Sequence, residues 1–289
     1  MLEAHSRYKI LKPFVAIKSN LLVIMSLAEH PDSIRNDTNS MTLTRMVMAA
    51  THDSDLVILL TSISTACKLV ARSVRKAGIA GLYGVAGTEN ATGDSQKKLD
   101  VLSNEMFVNC LYNSGVCAVL VSEENDEPIF VEQSCAGKYC VAFDPLDGSS
   151  NIDCNVSTGT IFGVWEKKST GTAVVEDILR PGHEMICAGY CAYGSATELV
   201  LVYGSGPIQR FTLDPSLGEF ILTADDLKLP ADSKNIYSIN DGNYTTWDSN
   251  MQKAIDSFKF SKPPYSARYY QSLYFNIKYN TLYILFNYI

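Results

Sequence analysis

Two apolar runs that end in acids constrain this chain more than any other feature. Residues 116–121 are closed by Ser122-Glu123-Glu124, and residues 138–143 by Asp144-Pro145-Leu146-Asp147-Gly148. Short continuous apolar runs bounded by turn residues read as strands buried on both faces, and such strands need helices to cover them. Acids at their C-terminal ends occupy the usual address of ligand sites in helix-covered sheets.

Around these runs the periodicity supplies further elements. Asp53 and Ser54 offer an N-cap, and Leu56, Leu59, Ile63, Cys67, Val70 and Val74 then recur at helical spacing up to Gly78. Arg72, Arg75 and Lys76 fall in the last turns, where cations complement the helix dipole. Residues 78–95 hold five glycines without a sustained period and read as a long loop. A second helix is expected from Lys97, with Leu99, Leu102, Met106 and Cys110 inward and Gly115 as its stop. Residues 158–165, 197–203 and 208–213 read as strands, the last two joined by Gly204-Ser205-Gly206. Beyond a polar junction at 223–234, a strand at 236–239 and a helix over 248–258 are expected.

With 289 residues and 46% hydrophobic composition, the chain can bury a large core in one big domain or two ordinary ones, of which two is preferred. A net charge of −7 gives no general attraction for nucleic acid or an anionic membrane. An anionic substrate would therefore need a locally positive site, which bound cations could supply. The eight cysteines form no C-x-x-C pair, so structural thiols of a reduced, cytoplasmic protein are expected rather than zinc ligands. No continuous apolar run reaches the roughly 18 residues of a membrane span. Leu21 to Ala28 behind Lys9, Lys12 and Lys18 has only the outline of a weak signal peptide, and Met25 reads better as an alternative start.

The acids carry the chemistry. Pro145 prevents a regular helix, so Asp144 and Asp147 can aim two carboxylates at one point, with the Leu146 carbonyl beside them. Such hard oxygen donors suit magnesium or manganese. Gly148-Ser149-Ser150 opens a segment whose amides and hydroxyls could cradle a phosphate. By itself D-P-x-D-G is also an ordinary turn. Glu123, Glu124, Asp94 and Asp100 add to it a cluster that without cations would repel, implying metals or a functional proton rather than a solvated face.

The run Lys138-Tyr-Cys-Val-Ala-Phe-Asp-Pro-Leu-Asp-Gly-Ser-Ser-Asn-Ile-Asp153 resembles fructose-1,6-bisphosphatase, within the inositol-monophosphatase-like superfamily of metal-dependent sugar phosphatases. So do Thr42-Leu-Thr-Arg45, Thr92-Gly-Asp-Ser-Gln-Lys-Lys-Leu-Asp-Val-Leu-Ser-Asn104, Val121-Ser-Glu-Glu124, Tyr193-Gly-Ser-Ala-Thr197 and Tyr237-Ser-Ile-Asn240, collinear from Thr42 to Tyr269. The resemblance implies a layered αβαβα sugar-phosphatase fold of mixed α+β and α/β character, with an incomplete second domain. The expected division is a tail over 1–41, a metal-binding phosphatase domain over 42–227, a partial substrate domain over 228–269 and a tail over 270–289. It also implies a cytoplasmic homotetramer of gluconeogenesis that removes the 1-phosphate of fructose 1,6-bisphosphate with Mg2+, Mn2+ being an alternative. By matching position, Glu123, Asp144, Asp147 and the Leu146 carbonyl would hold the metals, with Asp94 at an adjoining site. Asp100 and Glu124 would position and deprotonate water. Asp147, Gly148, Ser149 and Ser150 would meet the 1-phosphate, and Asn240, Arg268 and Tyr269 the 6-phosphate, with Arg268 serving a neighbouring subunit.

Two departures shape the remaining expectations. Lys138 and Tyr139 match AMP-contact positions, but Met48-Ala-Ala-Thr-His-Asp-Ser-Asp-Leu56 lacks the family's Gly- and Thr-containing turn, and Glu166 replaces a basic contact. Weak or absent AMP inhibition is expected, since carboxylate and phosphate repel. After Tyr269 the Tyr-, Asn- and Ile-rich residues 270–289 depart from the family, before its further lysine and glutamate contacts. Two alternatives to a working enzyme therefore stand: an impaired fragment that associates with complete subunits, and a related sugar or inositol phosphatase.

Overall fold

The computed structural model describes residues 40–89, 95–228 and 235–267. The expected N-terminal tail, Asp94, Arg268, Tyr269 and residues 270–289 lie outside them. Two helices open the chain, α1 (Leu43–Ala50) and α2 (Ser54–Lys76), followed by the short strands β1 (Val85–Glu89) and β2 (Ser95–Lys97) and by α3 (Lys98–Tyr112). The main sheet is built from β3 (Cys117–Ser122), β4 (Ile129–Phe130), β5 (Tyr139–Asp147), β6 (Thr158–Glu166), β7 (Cys187–Tyr193), β8 (Thr197–Tyr203), β9 (Gln209–Asp214) and β10 (Glu219–Ala224). Its spatial order is β10-β9-β8-β7-β6-β5-β3-β4. Only β3 and β5 pair in parallel; every other neighbour is antiparallel.

Alternation along the strands divides the core between two faces. From β5, Val141 and Phe143 join α1, α2 and α3 in one apolar cluster, with the Phe107 and Phe143 rings stacked at 5.3 Å. Cys140 and Ala142 point the other way, toward Trp165, Ala173, Ile178 and Leu227. The layered arrangement of helices on a mixed sheet matches the expected fold class. A smaller unit follows, in which β11 (Ile236–Tyr237) pairs in parallel with β12 (Ser266–Ala267). There α4 (Ser249–Lys259) packs Met251 and Ile255 on Tyr237.

Helix α2 begins where the sequence placed it, with Asp53 Oδ1 accepting the amides of Asp55 (3.0 Å) and Leu56 (3.3 Å). By length and composition α2 could cross a membrane, although no unbroken apolar run does so; instead its stripe from Leu56 to Ala71 is buried in the core. Several expectations need correction. The glycine-rich 78–95 stretch is not wholly a loop, because it contains β1, which pairs with β2 at its far end. The inward stripe of α3 is Leu99, Asp100, Ser103, Phe107 and Leu111, while Leu102, Met106 and Cys110 are half-buried. That rotation turns the aromatic ring toward β5 and carries a carboxylate inside with it. Helix α1 and strands β7 and β10 carried no recognised periodicity. In β7 both faces are covered, so Cys187 to Tyr193 show no alternation to read.

Gly189 in the middle of β7 shows how closely the layers pack. A methyl group there would stand 2.6 Å from both the Val200 carbonyl oxygen and Phe162 Cζ. Gly189→Ala should therefore destabilise the fold by about 1–3 kcal/mol through overpacking, read as a lower urea midpoint with an unchanged slope.

Candidate active site

The two acid-tipped strands lie side by side. Ser122 pairs with Phe143 across the parallel ladder, and the Glu123 amide donates to the Phe143 carbonyl at 3.1 Å. Glu123 thus leaves β3 beside Asp144 on β5. The strand expected to close after Phe143 does not: β5 continues to Asp147 through a bulge, which sets aside the reading of D-P-L-D-G as an ordinary turn. Asp144 pairs with Ile161 and Asp147 with Gly159, so Pro145 and Leu146 face the single residue Thr160. A bulge fits here because proline has no amide to contribute to a ladder, and the extra residue re-aims its neighbours. Asp144 is only 2% exposed, and its Oδ1 accepts the Leu146 amide at 3.0 Å.

Asp100 reaches the same place from the first turn of α3. Its Oδ2 accepts the Lys97 amide at 2.7 Å, while its buried Oδ1 has no hydrogen-bond partner. Burial pushes its pKa up to about 6, against the pull of the Lys97 amide and the Ser149 hydroxyl, and the nearby Glu123 charge raises it further. Glu124 is held from β2, with Gln96 Nε2 donating to its Oε2 at 2.6 Å. Ser122 and Asn104 brace this corner: the Ser122 hydroxyl donates to Asn104 Oδ1 at 2.7 Å and accepts the Glu124 amide at 3.2 Å.

Past the bulge, Gly148 takes φ 81° and the chain turns into the 3-10 segment Ser149–Cys154. Asp153 at its far end binds Lys97 Nζ at 2.6 Å and accepts the Gly84 amide at 3.4 Å. This ties the Gly148-Ser149-Ser150 segment to the loop leading into α3. Asn240 behaves differently. It is exposed and its hydrogen bonds are local, its Oδ1 accepting the Gly242 amide at 3.1 Å. Lys138 Nζ and the Tyr139 hydroxyl both donate to Asp53 Oδ2, each at 2.7 Å. Those bonds, led by that to Lys138, lower the Asp53 pKa to about 2. Both expected AMP contacts are therefore engaged on the chain's own helix cap, with Glu166 opposite Tyr139 in the sheet.

The structure brings Glu123 and Asp144 to adjacent strand ends, with Asp100 close enough to feel the Glu123 charge, while Leu146 and Asp147 follow along the bulge. Among the described residues, no three acid, imidazole or thiol side chains stand close enough together to hold an ion. The buried, unpartnered Asp100 Oδ1 beside the Glu123 charge fits a site that would take a divalent cation. Acids at adjacent parallel strand ends on a layered α/β frame point to the class of phosphate-ester hydrolases that use divalent metals.

Comparison with known proteins narrows the class. Residues 41–225 match the family model for the fructose-1,6-bisphosphatase N-terminal domain. The cytosolic fructose-1,6-bisphosphatase of Pisum sativum is 50% identical over 260 residues, covering 87% of this chain and 75% of the pea protein. That of Arabidopsis thaliana is 51% identical over 254 residues, covering 85% and 74%. The holo crystal structure of Leishmania major fructose-1,6-bisphosphatase superposes with a TM-score of 0.76 at 44% identity, over 81% of this chain and 73% of that one. The chain belongs to the fructose-1,6-bisphosphatase family.

Gln96, Ser122, Asn104, Lys97 and Asp153 escaped the sequence reading as individuals, although all lie in motifs that carried the resemblance. Their roles depend on contacts between separate elements, which no spacing encodes. Asp100 makes a measurable difference. Its pKa is raised from 3.8 to about 6, so the folded state holds the proton more tightly than the unfolded state. The resulting penalty is absent below pH 3.8, grows as pH rises through that window and is complete above about 6. The metal-free protein should accordingly lose about 2–3 kcal/mol of stability at this site between pH 4 and 7. Asp100→Asn should remove most of that slope in thermal melts recorded in chelator.

Proposed function

We propose that this protein hydrolyses the 1-phosphate of fructose 1,6-bisphosphate, giving fructose 6-phosphate and phosphate, the step that family members serve in gluconeogenesis. The observation that carries the reading is the meeting of Glu123 and Asp144 at adjacent parallel strand ends, with the buried Asp100 beside them. Mg2+ is the proposed cofactor, Mn2+ an alternative, and Glu123, Asp144, Asp147, the Leu146 carbonyl and Asp94 would hold it. Bound divalent ions supply charge neutralisation and polarisation of phosphoryl oxygens.

The residues of the chain divide the remaining work. Asp147, Gly148, Ser149 and Ser150 receive the 1-phosphate through backbone amides and hydroxyls, while Asn240, Arg268 and Tyr269 take the 6-phosphate. Asp100 and Glu124 orient the water, and Glu124 accepts its proton, with Gln96 fixing one carboxylate oxygen of Glu124. As the water oxygen bonds to phosphorus, the ester bond to the sugar oxygen breaks. Catalysis is mostly positioning and electrostatics, because a phosphate monoester is very inert in water. A cytoplasmic setting accords with eight free cysteines and with relatives named as cytosolic, and the homotetramer is proposed from the family resemblance.

Purified protein with millimolar Mg2+ and fructose 1,6-bisphosphate should release inorganic phosphate in a coupled colorimetric assay. Asp147→Asn should lower that rate by roughly 100-fold or more, since it removes a proposed ligand rather than an outer partner. Release that persists in excess chelator, or an unaffected Asp147→Asn, would refute the reading; preference for an inositol phosphate in competition would move it to a sister activity. Micromolar AMP should leave the rate unchanged, because Asp53 already engages Lys138 and Tyr139. Inhibition in that range would show that a nucleotide displaces the carboxylate.

A further inference from the structure

The bulge that separates Asp144 from Asp147 is held from behind by a chain of buried hydroxyls. Thr160, the β6 residue facing the bulge, is fully buried, and its Oγ1 donates to the Pro145 carbonyl at 2.8 Å. The Tyr193 hydroxyl at the end of β7 lies 2.6 Å from the same Oγ1 and is buried as well. A carbonyl can only accept, so the single Thr160 proton is committed to Pro145. Tyr193 must then be the donor in the second bond. The direction of the chain is thereby set: Tyr193 O–H to Thr160 Oγ1, and Thr160 O–H to the Pro145 carbonyl. Burial raises the Tyr193 pKa well above its ordinary value, so the phenol stays a donor.

The Pro145 carbonyl begins the peptide that continues into Leu146, whose own carbonyl lies between the two aspartates in sequence. Fixing the first carbonyl fixes the plane of that peptide, since the unit is rigid. We propose that Thr160 and Tyr193 are positioning residues for the metal centre, holding the bulge so that the Leu146 carbonyl and the two carboxylates present a common face. The proposal rests on the metal reading above. Neither residue needs to touch metal or substrate. Outer hydrogen bonds of this kind orient ligands, and their loss typically weakens metal binding about 10- to 100-fold.

The test is a Mn2+ titration, read from the electron paramagnetic resonance signal of the free ion and from metal-induced thermal stabilisation. Thr160→Val keeps the shape and removes the hydroxyl; its Mn2+ dissociation constant should rise about 10-fold or more. Thr160→Ser restores the donor and should bind as the parent does. Tyr193→Phe leaves the Thr160 hydroxyl without its donor and should show a smaller loss in the same direction. A folded Thr160→Val with parental Mn2+ affinity, or Thr160→Ser as impaired as Thr160→Val, overturns the proposal. Should Thr160→Val fail to fold, Tyr193→Phe with unchanged affinity overturns it instead. A parent protein that binds no Mn2+ overturns the metal reading and takes this proposal with it.

Discussion

The register break between β5 and β6 is the constraint on which the proposed site depends. Between Asp144 and Asp147 one strand spends an extra residue that its partner does not match. Proline makes that loss tolerable, because it removes a backbone donor that a regular ladder would have needed to pair. Without the bulge, Asp144 and Asp147, three apart, would point to opposite faces of a regular pleated strand. The break frees Asp147 from that alternation, as the proposed metal site requires.

Around this point the fold accumulates groups that a core would normally exclude. Asp100 enters on the inward face of α3, in line with Leu99, Phe107 and Leu111, and carries an unpartnered carboxylate oxygen. A buried acid in this position costs stability unless it holds a proton or faces a cation. The surrounding apolar clusters, drawn from both faces of an eight-stranded sheet, are large enough to offset such a local loss. A buried acid with a raised pKa beside a strand end is more often a mark of function than of poor packing.

Another acid shows how much environment decides. Asp53 caps α2 and is clasped by Lys138 and Tyr139, so its charge is stabilised and its pKa falls to about 2. Asp100 accepts the Lys97 amide but is buried, and its pKa rises to about 6. The same side chain therefore serves as a structural latch in one place and a poised site group in another. Nothing in the local sequence around either residue separates them; both precede or begin a helix. What separates them is that Asp53 meets Lys138, just ahead of β5, whereas Asp100 is buried, with Glu123 just past β3 adding to the rise.

Elements whose pattern is local were legible in the residues. Leu56 to Val74 announced α2 by helical spacing, Asp53 announced its cap, and the acid-tipped runs at 116–124 and 138–148 announced β3, β5 and the family. Strand β7 and the burial face of α3 were not, because a strand covered on both sides has no period and a helix packed between layers has more than one apolar face. Sequence alone determined the family and nominated the metal and phosphate residues, since both rest on side-chain types in short motifs. Only the tertiary structure decided that the D-P-L-D segment is a bulge within a strand, that Thr160 and Tyr193 stand behind it, and that Asp53 engages Lys138 and Tyr139. Each of those facts is a contact between segments far apart along the chain, and register across a sheet is set by the whole of both strands rather than by any motif within one.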